Sequence, residues 1–278
     1  MARNMQIKVG INTTVPNDDS GFKFRDVMWG GQWKPSNCRS KDKVALIVPY
    51  RHREDHLRIF LRHMHSFLQL QSIDYTIFVI EQVDEFPFNR AALLNSGFIE
   101  AQKQAVYDCF IFHDVDLLPE DLRNLYLCPP IRRARHLTVA IDTFNYTLPY
   151  SQLVGGALVM RRIDFQRVNG FSNLFWGWGG EDDEMHTRML IKSIRVIRYK
   201  SSISRYTMLK HPSARRNPNR FLLMTQSFRR YKNDGLTSLK YDLEGVVRKK
   251  LYTIVRVKLK FVNTTMTFHN RHYNKGGR

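Results

Sequence analysis

The sequence predicts an α/β protein, and three observations predict it. Continuous apolar runs at 44–50, 75–80 and 109–112, mixing β-branched and aromatic residues, mark strands buried on both faces. Between them, apolar residues recur at helical spacing: Leu57, Leu61, Met64 and Leu68, then a second helix over about 91–104. The chain after the strands carries functional side chains: Arg51-His52-Arg53, Phe88-Asn89-Arg90 and Asp114-Val115-Asp116. In open α/β sheets that edge is where ligands bind. The 278 residues suffice for one large domain with arms. We expect a polar, loop-rich arm over 1–43, the domain over 44–262, and a polar, disordered tail over 263–278.

Each element has its own justification. Arg90, at a strand-to-helix junction, is placed to meet a phosphate or is a surface residue. His52, His56, His63 and His65 show no metal spacing and are expected at the surface. The strand at 109–112 ends in Asp-x-Asp. Alternation puts Asp114 and Asp116 on one side, roughly 7 Å apart, where they repel unless a cation lies between them. Further strands are expected at 137–141, at 155–160 after the Gly155-Gly156 entry, and at 251–259. A glycine entry lets backbone approach a ligand closely. The basic, proline-containing stretch from about 209 to 228 is expected to be the longest loop and a mobile lid.

Composition narrows the function classes. A 43% hydrophobic and 12% aromatic content fits a globular protein. The net charge of +19 suggests polyanion partners, including phosphorylated small molecules. No zinc-finger spacing or RNA-recognition signature accompanies it, so nucleic acid is not expected. No run approaches the roughly 20 apolar residues of a membrane span, and the first ten residues lack a signal-peptide core. Acceptor triplets for glycosylation at Asn12, Asn145 and Asn263 argue instead for a secretory compartment. Cys109 and Cys128 flank a strand and turn and could pair there, leaving Cys38 over.

One stretch dominates: Phe175-Trp176-Gly177-Trp178-Gly179-Gly180-Glu181-Asp182-Asp183-Glu184. Its glycines permit positive φ, and its four carboxylates suit the first turn of a helix running to about Ser193. An acidic helix start after an aromatic turn is the plain reading. Two tryptophans against four adjacent carboxylates point to a site.

These motifs, in this order, resemble the β-1,4-galactosyltransferases, inverting enzymes of the GT-A fold. The resemblance covers roughly 28–259. It rests on Val-Pro-Tyr-Arg-His-Arg (48–53), Phe-Asn-Arg-Ala (88–91), Asp-Val-Asp (114–116), Leu-Pro-Tyr (148–150), Gly-Gly (155–156), Trp-Gly-Trp-Gly-Gly-Glu-Asp-Asp (176–183), Met-x-x-His (208–211) and Asn-Pro-x-Arg-Phe (217–221). It implies a Rossmann-like mixed sheet flanked by helices, with a long mobile loop over the site. It implies Mn²⁺ held by Asp116, Met208 and His211. It implies a UDP-sugar site from Pro49, Arg51, Arg53, Phe88, Arg90, Asp114 and Val115, with Trp178 closing and Glu181 holding donor hydroxyls. Asp182 is implied as the general base. Tyr150, Leu153, Gly156, Asp183, Arg220, Phe221 and Met224 are implied around the sugars, Tyr150 and Phe221 as an aromatic floor. Cys109 and Cys128 match a family disulfide. The partner of Cys38 and the family's N-terminal anchor would lie upstream, so the chain reads as truncated or divergent. Residence in the Golgi lumen as a type II membrane protein follows from the same resemblance.

Two departures shape the expected activity. Thr143 stands where the family carries a lysine near the phosphates. Leu153 replaces a tyrosine beside C2 of the donor sugar, leaving room for an N-acetyl group. The expected reaction therefore leans to GalNAc over Gal, from a UDP-sugar to the 4-OH of a terminal GlcNAc. A xylose-directed galactosyltransferase is the alternative within the family, though Met-x-x-His and Gly180 argue against it. A non-catalytic carbohydrate- or polyanion-binding protein is the alternative outside it.

Overall fold

A computed structural model describes residues 8–16, 26–212 and 214–261. Asn263 and the tail lie outside the described residues, while Asn12 and Asn145 are exposed. The elements in order are β1 (Gln32–Trp33), β2 (Lys43–Tyr50), α1 (Glu54–Leu70), β3 (Asp74–Gln82), α2 (Arg90–Gln104), β4 (Cys109–His113), β5 (Leu117–Pro119), β6 (Arg133–His136), β7 (Ala140–Ile141), β8 (Ala157–Arg161), α3 (Arg162–Arg167), α4 (Glu181–Ile191), β9 (Arg195–Ile197), β10 (Arg205–Met208), α5 (Arg220–Thr225), α6 (Ser227–Arg230), β11 (Tyr241–Arg248) and β12 (Thr253–Leu259).

The main sheet runs β11-β12-β3-β2-β4-β8-β6-β9 among the described residues, with β1 on part of the β3 edge. Its centre, β12-β3-β2-β4, is parallel, and β8 then pairs antiparallel with both β4 and β6. Alternation sorts the central strands onto two cores. Val44, Leu46 and Val48 of β2, with Ile77 and Val79 of β3, face the α1 side. Ala45 and Ile47, with Phe78 and Ile80, face α2. Helix α2 lies so close that a Cβ on Gly97 would come within 2.4 Å of Ile47, which accounts for the glycine there. A smaller sheet, β5-β10-β7, sits beyond the end of β4. Cys109 and Cys128 form a disulfide with a Cα–Cα distance of 5.6 Å.

Several expectations need correction. Residues 137–141 are not one strand: β6 ends at His136 and only Ala140–Ile141 pairs again, in the smaller sheet. The stretch 209–228 is not loop throughout, because α5 and the start of α6 lie in it. His63 and His65 are buried rather than at the surface. The His63 Nε2 lies 2.8 Å from the Pro119 carbonyl, and His65 joins the Tyr75 hydroxyl to the Leu251 carbonyl. Strand β4 ends at His113, so Asp114-Val115-Asp116 is a turn and strand alternation does not govern its side chains.

Candidate active site

The site lies at the carboxyl ends of β2 and β4, where α2 and α4 begin. After β2 the backbone turns at His52, whose φ is +48°. Arg51 goes to one side: it donates to the Phe86 carbonyl at 2.7 Å and lies 5.4 Å over the Phe88 ring. Arg53 goes to the other, into the field of His56 and His211. Pro49 and Val115 are buried wall residues. Asn89 caps α2 by accepting from the Ala92 amide at 2.9 Å, which fixes Arg90 in the first turn. Arg90 then reaches Asp114 at 2.6 Å and Glu181 at 3.7 Å.

The smaller sheet builds a second pair. Met208 of β10 stands opposite Leu117 of β5, and the Leu209 amide donates to the Asp116 carbonyl at 2.8 Å. That register carries His211 to Asp116, with Nε2 to Oδ2 at 2.8 Å, both side chains partly open to solvent. Donating to the Asp116 carboxylate raises the His211 pKa. The Met208 sulfur accepts from the Thr143 hydroxyl at 3.6 Å. Among the described residues no cage of three His, Cys, Asp or Glu side chains forms. A carboxylate and an imidazole with remaining open positions fit a divalent cation that completes its shell with a ligand's oxygens, and a nearby thioether is the softer addition.

Helix α4 begins beside the Arg90–Asp114 pair. Gly177, Gly179 and Gly180 all adopt positive φ (+87°, +100° and +94°), so the chain can turn three times in four residues before the helix begins. That turn leaves Trp178 57% exposed. The Trp178 amide and carbonyl are bonded to Arg215 and Asn217, and the Arg216 guanidinium lies 5.8 Å over its ring. Gly180 packs under Arg220 and Met224 of α5, and Arg220 covers the Phe221 ring at 4.3 Å. Burial and the nearby Asp182 and Asp183 carboxylates raise the pKa of the Tyr150 hydroxyl.

Asp182 is the chemically unusual group. A Cβ built on Gly155 would come within 2.6 Å of its Oδ2, so glycine there leaves room for the carboxylate. Burial in this crevice, with Glu181 and Asp183 beside it, pushes its pKa up to about 7, against the pull of Arg90. Asp114 rises to about 6 through burial, with Arg90 opposing and Asp116 and Glu181 adding to the rise. A carboxylate poised near neutrality can take a proton, and charged neighbours surround the place where it would do so.

The structure thus brings together Arg90, Asp114, Glu181 and Asp182; Asp116 and His211; Tyr150 and Asp183; and Gly180, Arg220 and Met224. Gly156 has φ +81°, and its carbonyl accepts from the Asp114 amide. Leu153 is half-buried, its carbonyl held by Arg198. Sequence reasoning missed Arg198 and the Thr138 and His136 side chains behind Gly155. The glycine pair was the only signal for them.

Residues 2–129 match the model of the N-terminal region of glycosyl transferase group 7. Residues 135–212 match that of the N-terminal domain of galactosyltransferase. Human β-1,4-galactosyltransferase 2 is 43% identical over 237 residues, 84% of this chain and 63% of that protein. The chain belongs to the β-1,4-galactosyltransferase family. Mouse β-1,4-galactosyltransferase 1 is 41% identical over 254 residues, 90% of this chain and 63% of that one. The chain therefore spans less than two thirds of the length of these relatives. A crystal structure of the catalytic domain of Drosophila β-1,4-galactosyltransferase 7 with xylobiose superposes with a TM-score of 0.69 at 32% identity, covering 81% of this chain and 97% of that one. A mutant of that enzyme in complex with manganese, UDP-Gal and xylobiose gives the same TM-score at 31% identity. The fold is GT-A. Among the described residues no helix is long and apolar enough to cross a membrane.

Proposed function

We propose that the chain carries the catalytic domain of an inverting, Mn²⁺-dependent β-1,4-glycosyltransferase that moves GalNAc or Gal from a UDP-sugar to the 4-OH of a terminal GlcNAc. The single observation that carries the reading is Asp182: a carboxylate on the first turn of α4, set against Gly155, beside the Arg90–Asp114 pair and crowded by Glu181 and Asp183, with its pKa raised to about 7. In this reading Asp182 takes the proton from the acceptor hydroxyl as that oxygen attacks the anomeric carbon. Attack opposite the departing UDP turns an α-linked donor into a β linkage. Arg51 and Phe88 hold the nucleotide end, Arg90 and Asp114 orient the ribose and sugar, and Glu181 and Asp183 take donor and acceptor hydroxyls. Tyr150 and Phe221, with rings 43% and 64% exposed, form the acceptor floor. Asp116, His211 and Met208 would hold Mn²⁺, which when bound offsets the charge developing on the diphosphate. Trp178, bonded to the 215–217 backbone, would move with that stretch over the bound donor.

Leu153 supports GalNAc as donor, since an aliphatic side chain there leaves space beside C2 of the sugar. The solved relative bearing xylobiose favours a second reading, a xylose-directed galactosyltransferase. Met208 at the metal site and Gly180 before α4 weigh against it. Golgi residence through an N-terminal anchor belongs to the same proposal, and the Cys109–Cys128 disulfide fits an oxidising lumen.

The test is a two-by-two transfer assay. Purified protein with Mn²⁺ receives UDP-Gal or UDP-GalNAc and an aryl GlcNAc or aryl xyloside acceptor, with product read by mass. Faster GalNAc transfer to GlcNAc is expected. Faster Gal transfer to GlcNAc would remove the Leu153 argument and keep the reaction. Transfer to xylose alone would move the chain to the second reading. Absence of any transfer by a folded protein that binds UDP with Mn²⁺ would sink the enzymatic reading for these acceptors.

A further inference from the structure

The segment 151–156 has one neighbour on each side that matters to the chemistry. Gly155 backs the Asp182 carboxylate, and the Gly156 carbonyl accepts from the Asp114 amide at 2.9 Å. Its own anchors come from a third direction. Arg198 donates through Nη2 to the Ser151 carbonyl at 2.8 Å and the Leu153 carbonyl at 2.9 Å. The same guanidinium donates through Nε to His136 Nδ1 at 3.1 Å. An arginine can only donate, so Nδ1 is an acceptor, His136 is neutral, and its hydrogen sits on Nε2. Nε2 lies 2.9 Å from the Gly155 carbonyl, which also accepts from the Thr138 hydroxyl at 2.7 Å. Thr138 in turn accepts from the Ala157 amide at 3.0 Å. Burial, helped by the Arg198 charge, lowers the His136 pKa to about 3, so the arrangement is not switched off within the working range of pH.

Sheet register produces this geometry. Strands β6 and β9 are parallel, with Arg135 opposite Ile197, so the next residues, His136 and Arg198, come side by side where that pairing ends. We propose that Arg198, His136 and Thr138 are positioning residues: they hold 151–156 between Asp182 and Asp114, and by fixing the Leu153 backbone they set which donor sugar fits. This rests on the transferase reading above. No member of the trio need touch substrate; each acts through the segment it holds.

The experiment uses R198A, with R198K as its conservative partner. Lysine keeps the charge but cannot reach His136 and two carbonyls as a rigid fork. Expected for R198A is a roughly tenfold fall in kcat and a several-fold change in the UDP-GalNAc to UDP-Gal ratio, with UDP affinity in Mn²⁺ unchanged. Hydrogen exchange at the Asp114, Leu153 and Ala157 amides should rise about tenfold, R198K lying between. A variant that melts earlier but keeps the wild-type donor ratio and wild-type exchange at those amides would overturn the proposal. Should R198A fail to fold, R198K is read by the same criteria. Exchange does not depend on turnover. If the wild type transfers neither sugar, the transferase reading falls, and the three amides still decide whether Arg198 holds the segment.

Discussion

Asp182 and Glu184 sit two residues apart on α4, are both acidic, and have opposite fates. Glu184 is fully buried and fully answered: it accepts from Arg188 Nε at 2.7 and 2.9 Å and from the Ser227 hydroxyl at 2.7 Å. Arg188 continues to the Gly170 and Asp234 carbonyls, and Asp234 binds Arg230, Ser172 and the Asn173 amide. That network ties α4 to α6 and to the loop after it. Asp182 is crowded by Glu181 and Asp183, and against them it has only the Asp183 amide and the field of Arg90, which is already engaged by Asp114. The difference teaches where stability and chemistry separate. A buried charge with its partners fixed is structural, because breaking the set leaves an uncompensated ion. A crowded charge without them is held near its protonation midpoint, ready to change state.

The largest expected effects test that separation directly. Asp182→Asn should lower kcat by roughly 10²- to 10⁴-fold, the usual contribution of a positioned general base. Its thermal midpoint at pH 7.5 should not fall, since a crowded charge has been removed; a drop of several degrees would make Asp182 structural and break the comparison. Glu184→Ala should do the reverse. Arg188 would keep only Asp234 and backbone carbonyls, at a cost of about 3–5 kcal/mol read by urea unfolding. The molecules that remain folded should turn over within a few-fold of wild type. A catalytic loss beyond the loss of folded protein would show that the network also shapes the site.

Titration sharpens the contrast further. The folded pKa of Asp182, about 7, lies above the ordinary carboxylate value, so the folded state binds an extra proton between roughly pH 4 and 7. Stability from this group is thus full below the unfolded pKa and is lost as pH rises through 7. Activity runs the other way, because the base must be ionised: kcat/KM should fall about tenfold per unit below pH 7. Measured across pH 4 to 8, the gap in thermal midpoint between Asp182→Asn and wild type should widen in favour of the variant. A flat gap would mean that Asp182 is already ionised at low pH, and the proton-acceptor reading would lose its support.

How much of this was legible in the sequence depends on where each group finds its partners. Strands β2, β3 and β4 announce themselves because burial on both faces demands unbroken apolar runs. Strand β6, Arg133–His136, does not: it is held by pairing with β8 and β9, and its buried side chains are Ala134 and His136. His63 and His65 sit in the core because Pro119 and Leu251, far along the chain, supply carbonyls for their rings. Helices α5 and α6 span six and four residues, too short to show a period. At the site, the acidic turn and its glycines were readable as local chemistry. Asp116, His211 and Met208 were readable as a set only through the family pattern, since the pairing of β5 with β10 brings together positions 116 and 211, 95 apart in the chain. Arg198 carried no local signal at all; its role is a consequence of strand register.

The smallest expected effects come from a matched pair of hydroxyls. Tyr150 lies in the field of Asp182 and Asp183 beside the open carboxylates, and Ser227 donates to Glu184 inside the closed network. Each deletion, Tyr150→Phe and Ser227→Ala, removes one hydroxyl beside a carboxylate, and the Ser227 hydrogen bond is worth about 1 kcal/mol net. The readouts should part. Tyr150→Phe should raise the acceptor KM about fivefold and leave the thermal midpoint unmoved, because the hydroxyl sits on an exposed ring that solvent reaches. Ser227→Ala should leave KM alone and lower the midpoint by about 2–4 °C, because no solvent reaches Glu184. Were both variants to shift the same readout, the boundary drawn along α4 between Asp183 and Glu184 would have to move.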